Sequence, residues 1–137
     1  MFKKIVVGTD GSASATRAVQ RSVQLARTSG AELIVVHAHP DANVGYGLSG
    51  GDYPVIDRAK SIIAEAESEL AADVAVRSVL RRGEAADVLI DVAEEEGADL
   101  IVVGNKGMTG ARRFVVGSVP NRVSHHSSCD VLIVHTT

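Results

Sequence analysis

Leu100-Ile101-Val102-Val103-Gly104-Asn105-Lys106-Gly107, nine further residues, and then Gly117-Ser118-Val119 form the stretch that decides how this chain reads. A short, apolar, β-branched run has the character of a strand buried on both faces. Glycines follow it, and a helical pattern opens after them. A strand that ends in a glycine loop and feeds a helix presents backbone N–H groups to phosphate. Gly104, Gly107 and Gly117 let a ligand come close to the main chain. Ser118 is suited to cap the helix or to bond a phosphate oxygen. The loop is not a P-loop, because the Gly-x4-Gly-Lys-Ser/Thr pattern is missing. Lys106, Arg112 and Arg113 on the same loop are candidate phosphate cations or plain solvated charges. The alternative for the glycines is that Gly104, Gly107 and Gly110 only satisfy turns.

Five apolar runs read as strands, at about 4–8, 32–38, 74–80, 100–103 and 131–135. Helical patterns separate them. The first, over 13–28, has Ser12 as its N-cap and Gly30 as its stop, with Ala15, Ala18, Val19, Val23 and Ala26 on one face. Others are expected over 54–70, 84–96 (stopped by Gly97) and 119–126, the last with Pro120 in its first turn. Strands alternating with helices predict right-handed crossovers and one doubly wound parallel α/β sheet with helices on both faces. Ligands of such sheets bind at the carboxyl ends of the strands, where the strand order reverses. The Gly- and polar-rich segment 39–53 reads as a loop near that site.

Composition narrows the function. The 137 residues suit a single domain over 1–137. Lysine and arginine number 14 against 17 acids, a net charge of −3, which does not favour nonspecific nucleic-acid or membrane binding. Aromatics are 3% and tryptophan is absent, so a base-stacking platform is not expected and the core must be aliphatic. No apolar run approaches the roughly 18 residues of a membrane span, and the first residues do not read as a signal peptide. The single Cys129 excludes an internal disulfide framework and fits a reducing cytoplasm.

The spacing Gly-x2-Gly-x9-Gly-Ser/Thr at 104–118 resembles the nucleotide-binding motif of the universal stress proteins. So do Ile5-Val6-Val7-Gly8-Thr9-Asp10-Gly11-Ser12 at the start, Arg82-Gly83-Glu84 in the middle and Asp130-Val131-Leu132-Ile133-Val134 at the end. The resemblance covers essentially the whole chain. It implies five parallel strands in the order 3-2-1-4-5, which sets the loops of strands one and four beside one crevice. It also implies an adenine nucleotide there, ATP, AMP or cyclic AMP, with Mg2+ accompanying ATP. The stretch Gly117-Ser118-Val119-Pro120 and the ending 131–137 resemble actinobacterial-type members, some of which prefer cyclic AMP. The residues implied to bind are Gly8, Thr9, Asp10, Ser12, Ala38, Val103, Gly104, Gly107, Gly117, Ser118 and Val119.

Several of these carry a second reading. Asp10 is an acceptor for a ribose hydroxyl or the adenine amino group, or a turn carboxylate holding the Gly11 and Ser12 amides. Ala38 follows His37 where the family's strand end pairs with adenine, or it is an ordinary strand-end alanine. Gly45-Tyr46-Gly47-Leu48-Ser49-Gly50 satisfies a dinucleotide fingerprint literally, but it neither follows a strand directly nor opens a helix. His125, His126 and Cys129 lack zinc spacing. Glu94-Glu95-Glu96 reads as a solvated helix end, unfavourable for the dipole.

No catalytic triad or carboxylate pair is apparent, so the expectation is a regulatory binding protein and not an enzyme. A slow ATPase or phosphotransferase is the rival, and a dimerisation module with a vestigial site is a third reading. The run 131–134 would be an edge strand without proline or lysine, which predicts a homodimer paired through it.

Overall fold

The computed structural model describes residues 1–39, 61, 64, 73–105 and 118–136. Within them the order is β1 (Lys4–Gly8), α1 (Ala13–Ser29), β2 (Glu32–His39), β3 (Val76–Arg82), α2 (Ala85–Glu96), β4 (Leu100–Gly104), α3 (Ser118–His126) and β5 (Asp130–Val134). The strands form one parallel sheet in the order β3-β2-β1-β4-β5. The helix expected over 54–70 lies outside the described residues, apart from Ser61 and Ala64, which are helical.

Each strand divides its side chains between two cores because successive residues point to opposite faces. Ile5, Val7, Leu33, Val35, Leu100 and Val102 meet Ala18, Val19, Val23 and Ala26 of α1. Val6, Ile34, Val36, Ile101 and Val103 meet Ala86, Leu89 and Val92 of α2 and Val119 and Val123 of α3. Apolar residues are needed on both faces, so the strands read as continuous hydrophobic runs. Ile101 is fully buried, and Ile101→Ala would cost about 2–5 kcal/mol through lost transfer energy and the cavity left behind.

The caps of α1 follow their sequence signals. Ser12 is extended (φ −74°, ψ 163°) and its Oγ accepts the Ala15 amide at 3.1 Å. Gly30 closes the helix at φ 70°, where a side chain would be strained.

Two expectations are corrected. β3 starts at Val76 and continues past Leu80 to Arg82, because β2 runs to His39 and the ladder follows it: His39 lies opposite Arg82, and the Gly83 amide donates to the His39 carbonyl at 2.8 Å. β3 is an edge strand within the described sheet, so its arginines have room outside the core. Glu94-Glu95-Glu96 is also more than a solvated helix end. Arg77 donates to Glu96 at 2.6 Å and to Glu32 at 3.2 Å, and Arg81 pairs with Glu95. These cations offset the unfavourable position of acids at a helix carboxyl end.

Candidate functional site

The parallel register of β1 and β4 sets Val7 beside Val102, so Gly8-Thr9-Asp10 and Val103-Gly104 leave the sheet side by side. From β1 the chain turns into α1 on one face. From β4 it goes on to α3, which packs on the other face. The two connections diverge there and leave a crevice at the carboxyl ends, the switch point of the sheet.

The first wall is the turn from β1 into α1. Thr9 is buried; its amide donates to the Val36 carbonyl at 2.9 Å, and its carbonyl lies 2.7 Å from His37 Nδ1. A carbonyl only accepts, so His37 carries a proton on Nδ1. Asp10 Oδ1 accepts the Ser12 amide at 2.9 Å. The Gly11 amide goes instead to Thr9 Oγ1 at 3.2 Å, so the expected double grip of Asp10 on Gly11 and Ser12 is shared between two side chains. Asp10 Oδ2 has no hydrogen-bond partner among the described residues. Gly11 takes φ 83°, which a side chain would resist.

β2 supplies the neighbouring wall. The Val36 carbonyl points toward β1, where it meets Thr9, and the His39 carbonyl points toward β3, where it meets Gly83. Main-chain groups alternate along a strand, so the N–H and C=O of Ala38 face the β1 side. The β1 ladder stops at Gly8 opposite Val36, two residues short of Ala38. Ala38 therefore directs a donor and an acceptor over the crevice.

The second wall is β4 with the start of α3. Val103 is buried on the α2 side. A Cβ on Gly104 would stand 3.3 Å from both Ser14 Oγ and Thr136 Cγ2, so glycine lets β4 end tight against α1. Ser118 begins α3 and Val119 is buried in the same core cluster as Val103. Arg122 pairs with Glu84 and, at 2.9 Å, with Asp87, which ties α3 to the first turn of α2. Gly107, Gly117, Lys106, Gly110, Arg112, Arg113 and the fingerprint-like 45–50 lie outside the described residues. The fold thus gathers Gly8, Thr9, Asp10, Ser12, Val103 and Gly104 at one crevice and sets Ala38 on the adjoining strand.

Sequence reasoning passed over Ser14, Asn105 and Thr136. Asn105 Oδ1 accepts the Thr136 amide at 2.9 Å and the Thr136 hydroxyl at 2.8 Å, and Ser14 Oγ is 2.6 Å from Thr136 Oγ1. A signal existed: β4 and β5 are apolar runs that each give way to a short polar residue, and Gly104 pairs with Val134, so Asn105 and Thr136 follow in near register. Among the described residues no group of three or more His, Cys, Asp or Glu side chains could hold a metal. His125 Nδ1 instead meets the Asn121 carbonyl of its own helix at 2.9 Å.

The family model described as Universal stress protein family matches residues 1–135. The chain belongs to the universal stress protein family. Universal stress protein Rv1636 of Mycobacterium tuberculosis is 41% identical over 145 residues, an alignment covering 99% of this chain and 98% of that protein. A universal stress protein crystallised in complex with cAMP is 36% identical, with a TM-score of 0.73 over 99% of this chain and 98% of the other. The protein MJ0577 superposes with a TM-score of 0.87 at 25% identity, over 100% of this chain and 98% of its own. The strand order shared with such neighbours is the universal stress protein fold. No helix among the described residues is long and apolar enough to cross a membrane.

Proposed function

We propose that this universal stress protein binds an adenine nucleotide, ATP or cyclic AMP with AMP as a third candidate, in the crevice between β1 and β4, and acts as a stress-response regulator. The observation that carries the reading is the donor–acceptor pair of Ala38, which meets no β1 partner among the described residues, beside the carboxylate of Asp10. An adenine edge offers an amino donor next to a ring-nitrogen acceptor, which complements one strand residue whose N–H and C=O both face it. Asp10 repels phosphate and suits a ribose hydroxyl or the amino group. The phosphate then belongs on the other wall, at Gly104, Gly107, Gly117, Ser118 and Val119, where a glycine stretch meets the amino end of α3. The relative crystallised with cAMP supports cyclic AMP as a serious ligand. With ATP, Mg2+ would take its ligands chiefly from phosphates and water, because the described residues of the crevice offer one carboxylate.

Efficient turnover is not part of this reading. Phosphoryl transfer needs a positioned base and cations on the transferred group. At the described crevice the acid is Asp10, already accepting from Ser12, and the cation is Arg17, already donating to the Thr136 carbonyl at 3.2 Å. We further infer a cytoplasmic homodimer of single domains spanning 1–137. β5 lies at the edge of the described sheet, and its Val131, Leu132 and Ile133 are only half-buried in the monomer. A closed pair would scatter light at about twice the 14.3 kDa chain mass.

The test is calorimetric titration of the full chain with ATP, ADP, AMP and cyclic AMP, with and without Mg2+. A Kd of about 1 μM, or about −8.2 kcal/mol, is expected for ATP or cyclic AMP. Gly117→Val should weaken it at least about tenfold by adding bulk where phosphate approaches. Unchanged affinity in a folded Gly117→Val protein would overturn the assignment.

A further inference from the structure

We infer that Asn105, Thr136 and Ser14 form a latch that positions the entry to the nucleotide loop, so that the residues after the last strand act as part of the binding device. The inference rests on the nucleotide-binding reading above. Asn105 Oδ1 accepts both the amide and the hydroxyl of Thr136, at 2.9 and 2.8 Å. The Thr136 proton is thereby committed, so in the 2.6 Å contact it is Ser14 that donates and Thr136 Oγ1 that accepts. The Asn105 amide donates to the Val134 carbonyl at 2.8 Å, and Arg17 donates to the Thr136 carbonyl at 3.2 Å.

Every bond in this chain crosses between segments. Ser14 lies in the first turn of α1, two residues beyond Ser12. Asn105 is the first residue past β4, next to Gly104. Thr136 lies two residues past β5 and is buried, with 7% of its surface exposed. Its methyl Cγ2 also stands where a Gly104 Cβ would collide, at 3.3 Å. One threonine therefore holds both walls of the crevice, at Ser14 on one side and at Gly104-Asn105 on the other. A buried hydroxyl with both roles filled fixes geometry in a way that a packing methyl does not. The amide orientation follows as well: with Oδ1 turned to Thr136, the Asn105 NH2 points away from the latch.

The experiment compares wild type, Thr136→Val, Thr136→Ser and Asn105→Ala by calorimetric titration with cyclic AMP and ATP, alongside thermal melting. Thr136→Val keeps the shape and the amide bond but removes the hydroxyl. It should weaken binding about tenfold, equivalent to about 1.4 kcal/mol, at a temperature where the protein is fully folded. Thr136→Ser restores the hydroxyl and should recover most of the affinity. Asn105→Ala removes both acceptor bonds and should lose at least as much as Thr136→Val. Amide exchange of unliganded protein supplies a readout independent of ligand: the Thr136 amide should exchange faster in Asn105→Ala, which removes its acceptor, while the amides of β1 stay protected. If wild type binds and Gly117→Val does not, yet all three latch variants bind like wild type, the latch is overturned and the nucleotide site stands. If wild type binds no nucleotide, the functional reading fails and the latch falls with it. Equal loss in Thr136→Val and Thr136→Ser would also overturn it, because the hydroxyl would then not be the cause.

Discussion

The two ends of this sheet are built from different chemistry. At the amino end, charges are matched in a lattice. Lys4 lies 3.9 and 3.8 Å from Glu32 and Glu96, Arg77 bridges the same two acids, and Asp99 accepts the amides of Lys3 and Lys4 at 2.9 and 3.1 Å. At the carboxyl ends of β1, β4 and β5, most contacts come from hydroxyls, one carboxamide and the main chain, joined by Asp10, the His37 ring and Arg17. Thr9, Ser12, Ser14, Asn105 and Thr136 supply them, and Asp10 is the one acid among residues 8–14, 103–105 and 134–136. Mostly neutral hydrogen bonds hold the shape with little fixed charge, so an anionic ligand meets a single acid, Asp10, which is an acceptor for its hydroxyls. A groove of about 430 Å³ at the amino end is mainly apolar, lined by Phe2, Leu25, Leu100, Val131 and Leu132 with Asp130, and it lies against the edge strand β5.

Two carboxylates make the sharpest contrast, because each holds backbone amides. Asp10→Ala should cost about 1.5–3 kcal/mol of nucleotide binding, roughly ten- to a hundredfold in Kd, with a small change in melting temperature. Calorimetry beside thermal melting checks it, and an unchanged Kd would reduce Asp10 to a turn residue. Asp99→Ala should do the reverse. It strips the Lys3 and Lys4 amides of their acceptor and should lower unfolding free energy by about 1–2 kcal/mol in urea titrations, while the Kd stays within about twofold. Loss of affinity in Asp99→Ala would erase the distinction between the ends.

Acid should unpick the amino end first. The Arg77 hydrogen bond holds the Glu96 carboxyl below its ordinary value of 4.5. For Asp99 burial pulls upward, but the amides of Lys3, Lys4 and Asp99 itself, with the charge of the amino terminus, leave the carboxyl below its ordinary 3.8. A carboxyl lowered in the folded state contributes stability that is fully present above its unfolded value and is lost as pH falls through the folded one. Denaturant midpoints should therefore decline from about pH 5 to about pH 3, and Arg77→Ala should flatten that decline. An Arg77→Ala protein with the wild-type pH profile would show that the lattice is not its source. The smallest effect is expected from salt: at 1 M the Debye length is about 3 Å, so these exposed pairs should weaken slightly while the neutral latch is indifferent.

The strands were legible because both faces of each are covered, which forces unbroken runs such as Ile5-Val6-Val7 and Leu100-Ile101-Val102-Val103. The ends of α1 were legible because Ser12 and Gly30 act on their own neighbours. What escaped depends on distant register. Arg81 and Arg82 read as residues beyond the strand until β2 is seen to run on to His39. Glu95 and Glu96 look solvated until β3 brings arginines to them. Thr136 and Ser14 are 122 residues apart, and nothing local in either announces the other. Of the candidate site, the β1 turn and the end of β4 could be read as neighbours only through the family resemblance that implied the strand order.

The most direct test of the account is amide chemical-shift mapping of the full chain, labelled with nitrogen-15 and titrated with cyclic AMP and then ATP. The account predicts the largest shifts at Thr9, Asp10, Ala38, Gly104, Asn105 and Val119, with Lys4, Glu32, Arg77 and Asp99 unmoved. Shifts centred on Phe2, Leu25 and Leu132, or none at millimolar nucleotide, would contradict it.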